Sequence, residues 1–210
     1  MVVPSYSLTW VVDADAVQGI AMKKPQWANV LVAPGKAQVP HRLNPAIVQV
    51  CHEALLERGV FTIALSGGSL PSLLSPLQES FDAVGIDPQC WDKWHVLLAD
   101  ERCVPVSDAD SNLGALQATL LKNVGIPRNQ VYAIDQLKIS NMEEVAEAYE
   151  SIVQNVLSKS NGQLDLAVLG FGPEDIPAPC FRDTTRCYKR LLNGLLPLPI
   201  CPNLPQIALP

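Results

Sequence analysis

The apolar positions of the chain follow two alternating patterns. Short, mostly apolar runs, typical of buried strands, lie at 60–65, 95–99, 131–134 and 164–169. Around and between them, apolar residues recur every three or four positions, as on one side of a helix, at 44–59, 71–79, 113–122 and 142–158. Strands that alternate with helices predict an α/β fold, with a Rossmann-like, mostly parallel sheet, helices on both faces and right-handed crossovers.

Two of the predicted helices carry recognisable end signals. Asn44 followed by Pro45 is typical of a helix start, and Gly59 is typical of a helix end. Asn141, with Glu144 three positions later, predicts a capped start for the helix over 142–158. These signals set the expected bounds of the two longest helices.

Composition and charge narrow the class of protein. The 210 residues are 48% hydrophobic, and no apolar run approaches the ~20 residues of a membrane span, so we expect one soluble α/β domain without a membrane partner. The 15 Lys and Arg residues against 21 Asp and Glu residues give a net charge of −6, which argues against nucleic acid as a partner. An anionic ligand would need locally placed positive groups.

The six cysteines form no metal or disulfide pattern. They include no Cys-x-x-Cys pair and no histidine at zinc spacing, and a domain of this length does not need disulfides for stability. The N-terminus lacks the basic region of a secretory signal and soon reaches Asp13 and Asp15. We therefore expect a cytoplasmic protein that uses no metal and no cofactor, and we expect a monomer.

The first candidate for chemistry is the loop in residues 64–71, Ala-Leu-Ser-Gly-Gly-Ser-Leu-Pro. Here an apolar strand runs into a Gly-Gly turn and then into a helix start. Gly67 and Gly68 can adopt φ > 0 and let backbone N–H groups approach an oxyanion, while Ser69 adds a hydroxyl and the helix adds the positive end of its dipole. The pattern predicts a phosphate site; the alternative is an ordinary tight turn.

The second candidate is the turn in which the strand over 95–99 ends, Asp100-Glu101-Arg102. A guanidinium binds phosphate or carboxylate through paired hydrogen bonds, so Arg102 is a candidate for binding an anionic ligand. Asp100 and Glu101 would orient Arg102 or bind sugar hydroxyls; the alternative is a solvated surface triplet. Because ligands of such sheets bind beyond the carboxyl ends of the strands, the two loops predict one site for a phosphorylated small molecule.

Four blocks of the sequence, in order, resemble those of 6-phosphogluconolactonases. They are 64–71, 94–105 (Trp-His-Val-Leu-Leu-Ala-Asp-Glu-Arg-Cys-Val-Pro), 110–114 (Asp-Ser-Asn-Leu-Gly) and 164–173 (Leu-Asp-Leu-Ala-Val-Leu-Gly-Phe-Gly-Pro). The resemblance covers 44–173. We therefore expect a divergent segment with a possible first strand at 1–43, the family-like α/β domain at 44–173, and a tail outside the family pattern at 174–210.

The resemblance implies a function and a set of site residues. It implies a fold like those of ribose-5-phosphate isomerase and glucosamine-6-phosphate deaminase. It implies an enzyme that hydrolyses 6-phospho-D-glucono-1,5-lactone, a phosphorylated sugar lactone, in the oxidative pentose phosphate pathway without a metal. The residues that it places about the substrate are Ser66, Gly67, Gly68, Ser69 and Arg102, with Asp100 as the nearby catalytic acid.

The chain departs from the family pattern after Pro173. The family continues Gly-x-Gly-Pro-Asp-Gly-His-Thr, with the histidine as its proposed general base, whereas this chain reads Gly-Phe-Gly-Pro-Glu-Asp-Ile from Gly170. Glu174 or Asp175 would replace imidazole only if burial raised its pKa. The remaining histidines all precede this turn, and we expect structural roles for them. Lactone hydrolysis by this chain is therefore expected to be impaired.

The tail also differs in composition from the rest of the chain. Eight of the 18 prolines and three of the six cysteines lie in 173–210, and only 183–196 has the pattern of a helix. Proline at this density disfavours further sheet strands. We expect a sheet that is incomplete at its C-terminal end and a chain truncated within its domain, as a shifted reading frame or alternative splicing near codon 173 would produce.

Two other functions stay open. Glucosamine-6-phosphate deaminases share the implied fold, but their loop is of the Thr-Gly-Ser-Thr-Pro type and their acidic turn is Asp-Glu-Tyr, so the lactonase pattern fits Ser66–Ser69 and Asp100–Arg102 better. A non-catalytic protein that binds a sugar phosphate would keep the loop and Arg102 while lacking the base, as this sequence does.

Overall fold

The structure of the protein, a computed structural model, describes residues 8–13 and 28–170. Its strands are β1 (Leu8–Asp13), β2 (Ala28–Ala33), β3 (Phe61–Leu65), β4 (Trp94–Leu98), β5 (Val131–Tyr132) and β6 (Leu166–Val168). Its helices are α1 (Pro40–Arg58), α2 (Leu70–Leu73), α3 (Leu77–Val84), α4 (Asn112–Ala118) and α5 (Met142–Ser158). The expected tail helix over 183–196 lies outside the described residues.

Four strands form one parallel sheet in the order β5-β4-β3-β6. The last residue of β3, Leu65, lies beside Leu98 of β4 and Val168 of β6, so three strands end at the same edge. Every residue of β3 and β4 is buried. Their continuous apolar runs follow from this, since a parallel sheet is covered on both faces. The predicted mostly parallel α/β sheet is confirmed.

Two further strands lie near the N-terminus, where the sequence predicts at most one. β1 and β2 form a parallel pair, with Leu8 beside Ala28 and Asp13 beside Ala33. This pair is separate from the four-stranded sheet, and β2 also contacts α1.

Helices cover both faces of the four-stranded sheet. On one face the Trp94 ring lies 4.7 Å from the Phe61 ring and 5.8 Å from the Phe81 ring of α3, which also contacts α1. Because successive strand residues point to opposite faces, His95 lies on the other side. There it contacts Tyr132, whose hydroxyl also accepts a hydrogen bond from Lys159 at the end of α5.

The first long helix begins earlier than its sequence signals predict. α1 starts at Pro40, so Asn44 does not cap it and Pro45 lies inside it. Asn44 is 1% exposed, and its side-chain amide donates to the Leu73 carbonyl, 3.3 Å away. The predicted end is correct, because Gly59 closes the helix in the left-handed region with φ of 69°.

The single helix predicted over 71–79 is two helices. α2 makes one turn, Leu70–Leu73, and α3 begins at Leu77 after Pro76. Proline has no N–H and its ring clashes with the preceding turn, which explains the break. Three other elements end earlier than predicted: α4 at Ala118, β5 at Tyr132 and β6 at Val168.

The helix α5 begins as predicted. The Asn141 side chain accepts hydrogen bonds from the N–H groups of Glu143 and Glu144. In its middle, Tyr149 is 3% exposed, and burial raises the pKa of its hydroxyl. This hydroxyl accepts from Leu98 N at 2.7 Å and lies 3.1 Å from the Leu98 carbonyl and 3.2 Å from the Tyr132 carbonyl. It therefore satisfies main-chain groups at the point where β5 stops pairing with β4.

A buried ion pair joins the amino ends of β3 and β6. Arg58, the last residue of α1, bonds through Nη2 to Asp165 Oδ1. Asp165 Oδ2 accepts from the Thr62 amide at 2.7 Å and from the Thr62 hydroxyl at 2.8 Å. The Asp165 side chain is 3% exposed. This contact fixes the short strand β6 beside β3.

Candidate functional site

Three loops leave the sheet together at its carboxyl edge. The Ala99 amide, just past β4, donates to the Leu65 carbonyl at 2.8 Å, and the Ser66 amide, just past β3, donates to Val168 at 3.1 Å. The residues that follow these strand ends are 66–69, 99–102 and 169–170. The predicted loops therefore meet at one edge, where ligands of parallel sheets bind.

The loop after β3 has a buried half and an exposed half. Ser66 is 4% exposed, and its Oγ accepts from the Gly170 amide at 2.8 Å, which ties this loop to the one after β6. Gly67 is also buried, whereas Gly68 and Ser69 are exposed. Gly68 has φ of 65°, so the expected positive φ occurs at the second glycine and not at the first.

Gly67 serves close packing and not an unusual backbone angle. A Cβ at this position would lie 1.7 Å from Asn112 Oδ1. The Gly67 amide donates to Asp100 Oδ1 at 3.1 Å, so this N–H is already used within the protein. Within the part of the chain that the structure describes, the amides of Gly68 and Ser69 make no hydrogen bond. They are the loop N–H groups that can bind an anion.

The helix after this loop contributes less than the sequence suggests. α2 is one turn long, Leu70–Leu73, and the Ser69 side chain makes no capping hydrogen bond. A macrodipole arises from many aligned peptide units, so one turn supplies little positive potential. Anion binding here would depend on loop amides, the Ser69 hydroxyl and a cation.

Asp100 links the two loops. Its Oδ1 accepts from Gly67 N, and its Oδ2 accepts from Asn112 Nδ2 at 3.0 Å. Each carboxylate oxygen has two acceptor directions, so each can accept one further hydrogen bond from a sugar hydroxyl or a water. Asp100 is half-buried, and it can act on a ligand without leaving its place.

Glu101 is used by the protein itself. Its carboxylate accepts from the amides of Asn112 and Leu113 at 2.8 and 2.9 Å, at the first residues of α4, and from the Ser111 hydroxyl at 3.3 Å. It also accepts from the Arg102 amide at 2.8 Å. A carboxylate at a helix start satisfies N–H groups that have no partner within the helix. Of the two roles expected for Glu101, these contacts favour orienting Arg102 over binding sugar hydroxyls, and they add a structural role at the start of α4.

Arg102 lies half-buried on the loop that follows β4. Its own amide is held by Glu101, and its carbonyl accepts from the Val104 amide at 2.8 Å. The backbone at Arg102 is thus fixed from both sides, beside the loop that carries Gly68. Gly68 and Arg102 lie at the same edge of the sheet, as the two-loop prediction requires.

Asn112 belongs to this site, although sequence reasoning gave it no role. It is 6% exposed at the first position of α4 and contacts both Asp100 and Gly67. The available signal is the block Asp-Ser-Asn-Leu-Gly at 110–114, which resembles the family pattern and places a serine cap directly before the asparagine. Ser111 does cap α4, through a hydrogen bond from Gly114 N at 3.1 Å.

The histidines of the described region lie away from this edge. His41 and His52 are exposed on α1, and His95 is near the start of β4. Burial, and then the nearby Lys159 charge, lower the pKa of His95, and its Nδ1 lies 2.8 Å from the Tyr132 hydroxyl. The Tyr132 hydroxyl accepts a hydrogen bond from Lys159, so we assign it as the donor to His95 Nδ1.

The two buried thiols of the described region, Cys51 and Cys90, are not candidate nucleophiles. Burial is the main cause that raises the pKa of Cys51 to about 12 and that of Cys90 to about 11, so both thiols stay protonated. Within residues 8–13 and 28–170, no cluster of metal-ligating side chains is present, and no helix is long and apolar enough to span a membrane. Cys180, Cys187 and Cys201 lie outside these residues.

Comparison with known proteins gives similarities in both sequence and fold. Curated relatives include a probable chloroplastic 6-phosphogluconolactonase 3 of Oryza sativa subsp. japonica, 41% identical over 138 residues, which are 61% of this chain and 41% of that protein. They also include 6-phosphogluconolactonase 3 of Saccharomyces cerevisiae, 34% identical over 163 residues, 75% of this chain and 61% of that protein. The chain thus spans about half of the length of these relatives. Since the rice name specifies a chloroplast, the expected cytoplasmic location stays a prediction.

Solved structures agree on the fold. 6-phosphogluconolactonase from Thermotoga maritima aligns with a TM-score of 0.59 and 23% identity, over 84% of this chain and 65% of that one. The enzyme from Leishmania guyanensis aligns with a TM-score of 0.52 and 25% identity, over 69% of this chain and 61% of that one. The family model for glucosamine-6-phosphate isomerases/6-phosphogluconolactonase matches residues 34–189, beginning before and ending after the block 44–173. The chain therefore belongs to the family of glucosamine-6-phosphate isomerases and 6-phosphogluconolactonases.

Proposed function

We propose that this chain binds a phosphorylated sugar lactone at the carboxyl edge of its sheet, as a 6-phosphogluconolactonase whose hydrolytic step is impaired. The observation that carries the proposal is the hydrogen bond from Gly67 N to Asp100 Oδ1 at 3.1 Å. This bond joins the glycine loop to the turn that bears Arg102. It supports a site to which the exposed amides of the glycine loop and the Arg102 guanidinium would both contribute.

Each candidate residue has a role in binding. The amides of Gly68 and Ser69 and the Ser69 hydroxyl would donate to phosphoryl oxygens, and the Arg102 guanidinium would bind the same group through paired hydrogen bonds. Ser66 and Gly67 support the loop from its buried side. Asp100 would accept a hydrogen bond from the sugar or from the attacking water, and it stays the candidate catalytic residue.

Hydrolysis is proposed to be weak because the sequence after Gly170 lacks the histidine of the family pattern. Loss of a general base typically lowers the rate by ~10²–10⁴-fold. The family name also covers glucosamine-6-phosphate isomerases, but the pattern at Asp100–Arg102 favours the lactonase. A non-catalytic sugar-phosphate binder is the second candidate, and the same absent histidine favours it.

Calorimetric titration with 6-phosphogluconate tests the binding site. We expect Arg102→Ala to weaken binding by about 10–100-fold, since a charge-assisted hydrogen bond contributes ~1.5–3 kcal/mol. The Kd of Arg102→Lys should lie between those of wild type and Arg102→Ala, because lysine keeps the charge and loses the paired hydrogen bonds. Arg128→Ala is the matched control, since Arg128 is exposed on the turn before β5, at the opposite edge of the sheet.

A coupled assay with freshly generated lactone, corrected for spontaneous ring opening, separates the functions. Binding without turnover supports the binder, and slow turnover supports the impaired lactonase. Turnover at the rate of a full-length relative measured alongside would contradict impairment and would require another base. If 6-phosphogluconate and glucosamine 6-phosphate both fail to bind, the proposed site is wrong.

A further inference from the structure

We infer that Asn112 is a positioning residue that fixes the distance between the two ligand loops, an inference that rests on the proposed function. Its side-chain amide donates to both the carbonyl and the Oδ2 of Asp100, at 2.9 and 3.0 Å. Asn112 is 6% exposed. A buried amide with two bonds to one residue holds that residue in a single orientation.

The same side chain lies against Gly67. The three atoms nearest to a Cβ built on Gly67 all belong to Asn112: Oδ1 at 1.7 Å, Cγ at 2.2 Å and Nδ2 at 2.6 Å. Gly67 in turn donates its amide to Asp100 Oδ1. Gly67, Asp100 and Asn112 therefore form a closed set of contacts, with one residue from each of three segments.

Asn112 is itself held by the turn that it supports. The main-chain amide of Asn112 donates to Glu101 Oε1 at 2.8 Å, and Glu101 also accepts from the main-chain amide of Arg102. The start of α4, the glycine loop and the backbone of Arg102 are thus connected by short contacts. A change at Asn112 is expected to alter the spacing between Gly68 and Arg102, although Asn112 need not touch the ligand.

The chemistry of the amide makes asparagine hard to replace. Nδ2 supplies the donor that faces the Asp100 carboxylate. Aspartate at position 112 has nearly the same shape but would place a second carboxylate about 3 Å from the first. Alanine would remove the donor and leave a void against Gly67.

A double-mutant cycle tests the contact between the two loops. We expect Asn112→Ala and Gly67→Ala each to raise the Kd for 6-phosphogluconate by ~10-fold, the effect of one lost hydrogen-bond link. The double variant should also raise the Kd by ~10-fold and not by ~100-fold, because Asn112→Ala removes the atoms that the new Cβ at position 67 would contact. Gly68→Ala is the control. Its effect on the Kd comes from backbone strain at φ of 65°, so the fold-changes in Kd of Gly68→Ala and Asn112→Ala should multiply in the double variant.

Hydrogen exchange of the Gly67 amide gives a readout that does not depend on ligand. We expect exchange to quicken by at least ~10-fold in Asn112→Ala, because the Asp100 acceptor is no longer held in place. Asn123→Ala is the matched control; Asn123 is an exposed asparagine whose amide donates to the Thr119 carbonyl at 2.8 Å. If Asn112→Ala does not fold, Asn112→Asp replaces it, with the same expected quickening.

The outcomes separate the two claims. If the wild-type chain does not bind 6-phosphogluconate, the proposed function fails, while hydrogen exchange and an unfolding cycle on the same variants still decide the role of Asn112. A purely structural role would lower the unfolding midpoint of Asn112→Ala and leave its Kd within twofold of wild type. Multiplied effects of Gly67→Ala and Asn112→Ala, or unchanged exchange at Gly67, would overturn the inference.

Discussion

Replacing Asp165 by asparagine should destabilise the protein severely. The Asp165 side chain is 3% exposed, and it bonds to Arg58, whose side chain is 13% exposed. Breaking a buried ion pair typically costs about 3–5 kcal/mol, because it leaves a buried charge without compensation. The amide of asparagine also presents donors where Asp165 Oδ2 accepts from the Thr62 amide and hydroxyl. We therefore expect a loss near the upper end of that range.

The structure supplies a matched control for this change. Arg58 also bonds to Glu57, at 2.5 Å, but the Glu57 side chain is 72% exposed. Exposed ion pairs are weakened by solvent and salt, so Glu57→Gln should change the free energy of unfolding by less than about 0.5 kcal/mol. The two variants remove a carboxylate from the same arginine and differ mainly in burial.

Urea unfolding at 25 °C, followed by the fluorescence of the buried Trp91 and Trp94, measures both variants. Since small domains have only about 5–15 kcal/mol of stability, Asp165→Asn could leave too little native protein for a fit. Thr62→Val then serves instead, because it removes only the hydroxyl and should cost about 1–2 kcal/mol. Equal effects of Asp165→Asn and Glu57→Gln would refute the reasoning.

Two further predictions concern the β4–β5 side of the sheet. Burial and the Lys159 charge lower the pKa of His95, so the folded protein favours the neutral form. The free energy of unfolding should therefore be at its full value above pH ~6.5 and fall as the pH drops below it. His95→Gln should reduce this pH dependence, measured by urea unfolding between about pH 5.5 and 7.5. Tyr149→Phe should cost about 1–3 kcal/mol by the same assay, since the groups that Tyr149 bonds on Leu98 and Tyr132 would lose a partner; a loss below 0.5 kcal/mol would contradict this.

Much of the fold could be predicted because strong local patterns agree with the final packing. The runs at 60–65 and 95–99 are continuous because β3 and β4 are buried on both faces, and α5 has both a periodic apolar side and a cap at Asn141. Predictions failed where a distant contact overrode a local signal. Asn44 looks like a helix cap, but it packs against Leu73 in the folded protein and the helix starts earlier.

The candidate site was predictable by residue type and less so by role. The parallel order of strands is enough to bring the loops at 66–69 and 100–102 to one edge. The direction of each side chain depends on contacts that span 11 to 33 positions of sequence, which no local pattern contains. For this reason the sequence leaves the role of Glu101 open between Arg102 and the sugar and gives Asn112 no role, whereas in the structure Glu101 holds the Arg102 amide and the start of α4.

The arrangement of bonds favours the proposal that binding and hydrolysis can be lost separately in this chain. The proposed binding groups are fixed by contacts among residues 66–112, together with the bonds from Gly170 N to Ser66 Oγ and from Ser66 N to the Val168 carbonyl. The histidine of the family pattern would come from the segment after Gly170. The Asp100 carboxylate already accepts from Gly67 and Asn112, so a proton transferred to it would use the remaining acceptor direction of one oxygen. A chain that keeps these loops and lacks the histidine is therefore expected to retain affinity for the sugar phosphate while losing most of the hydrolytic rate.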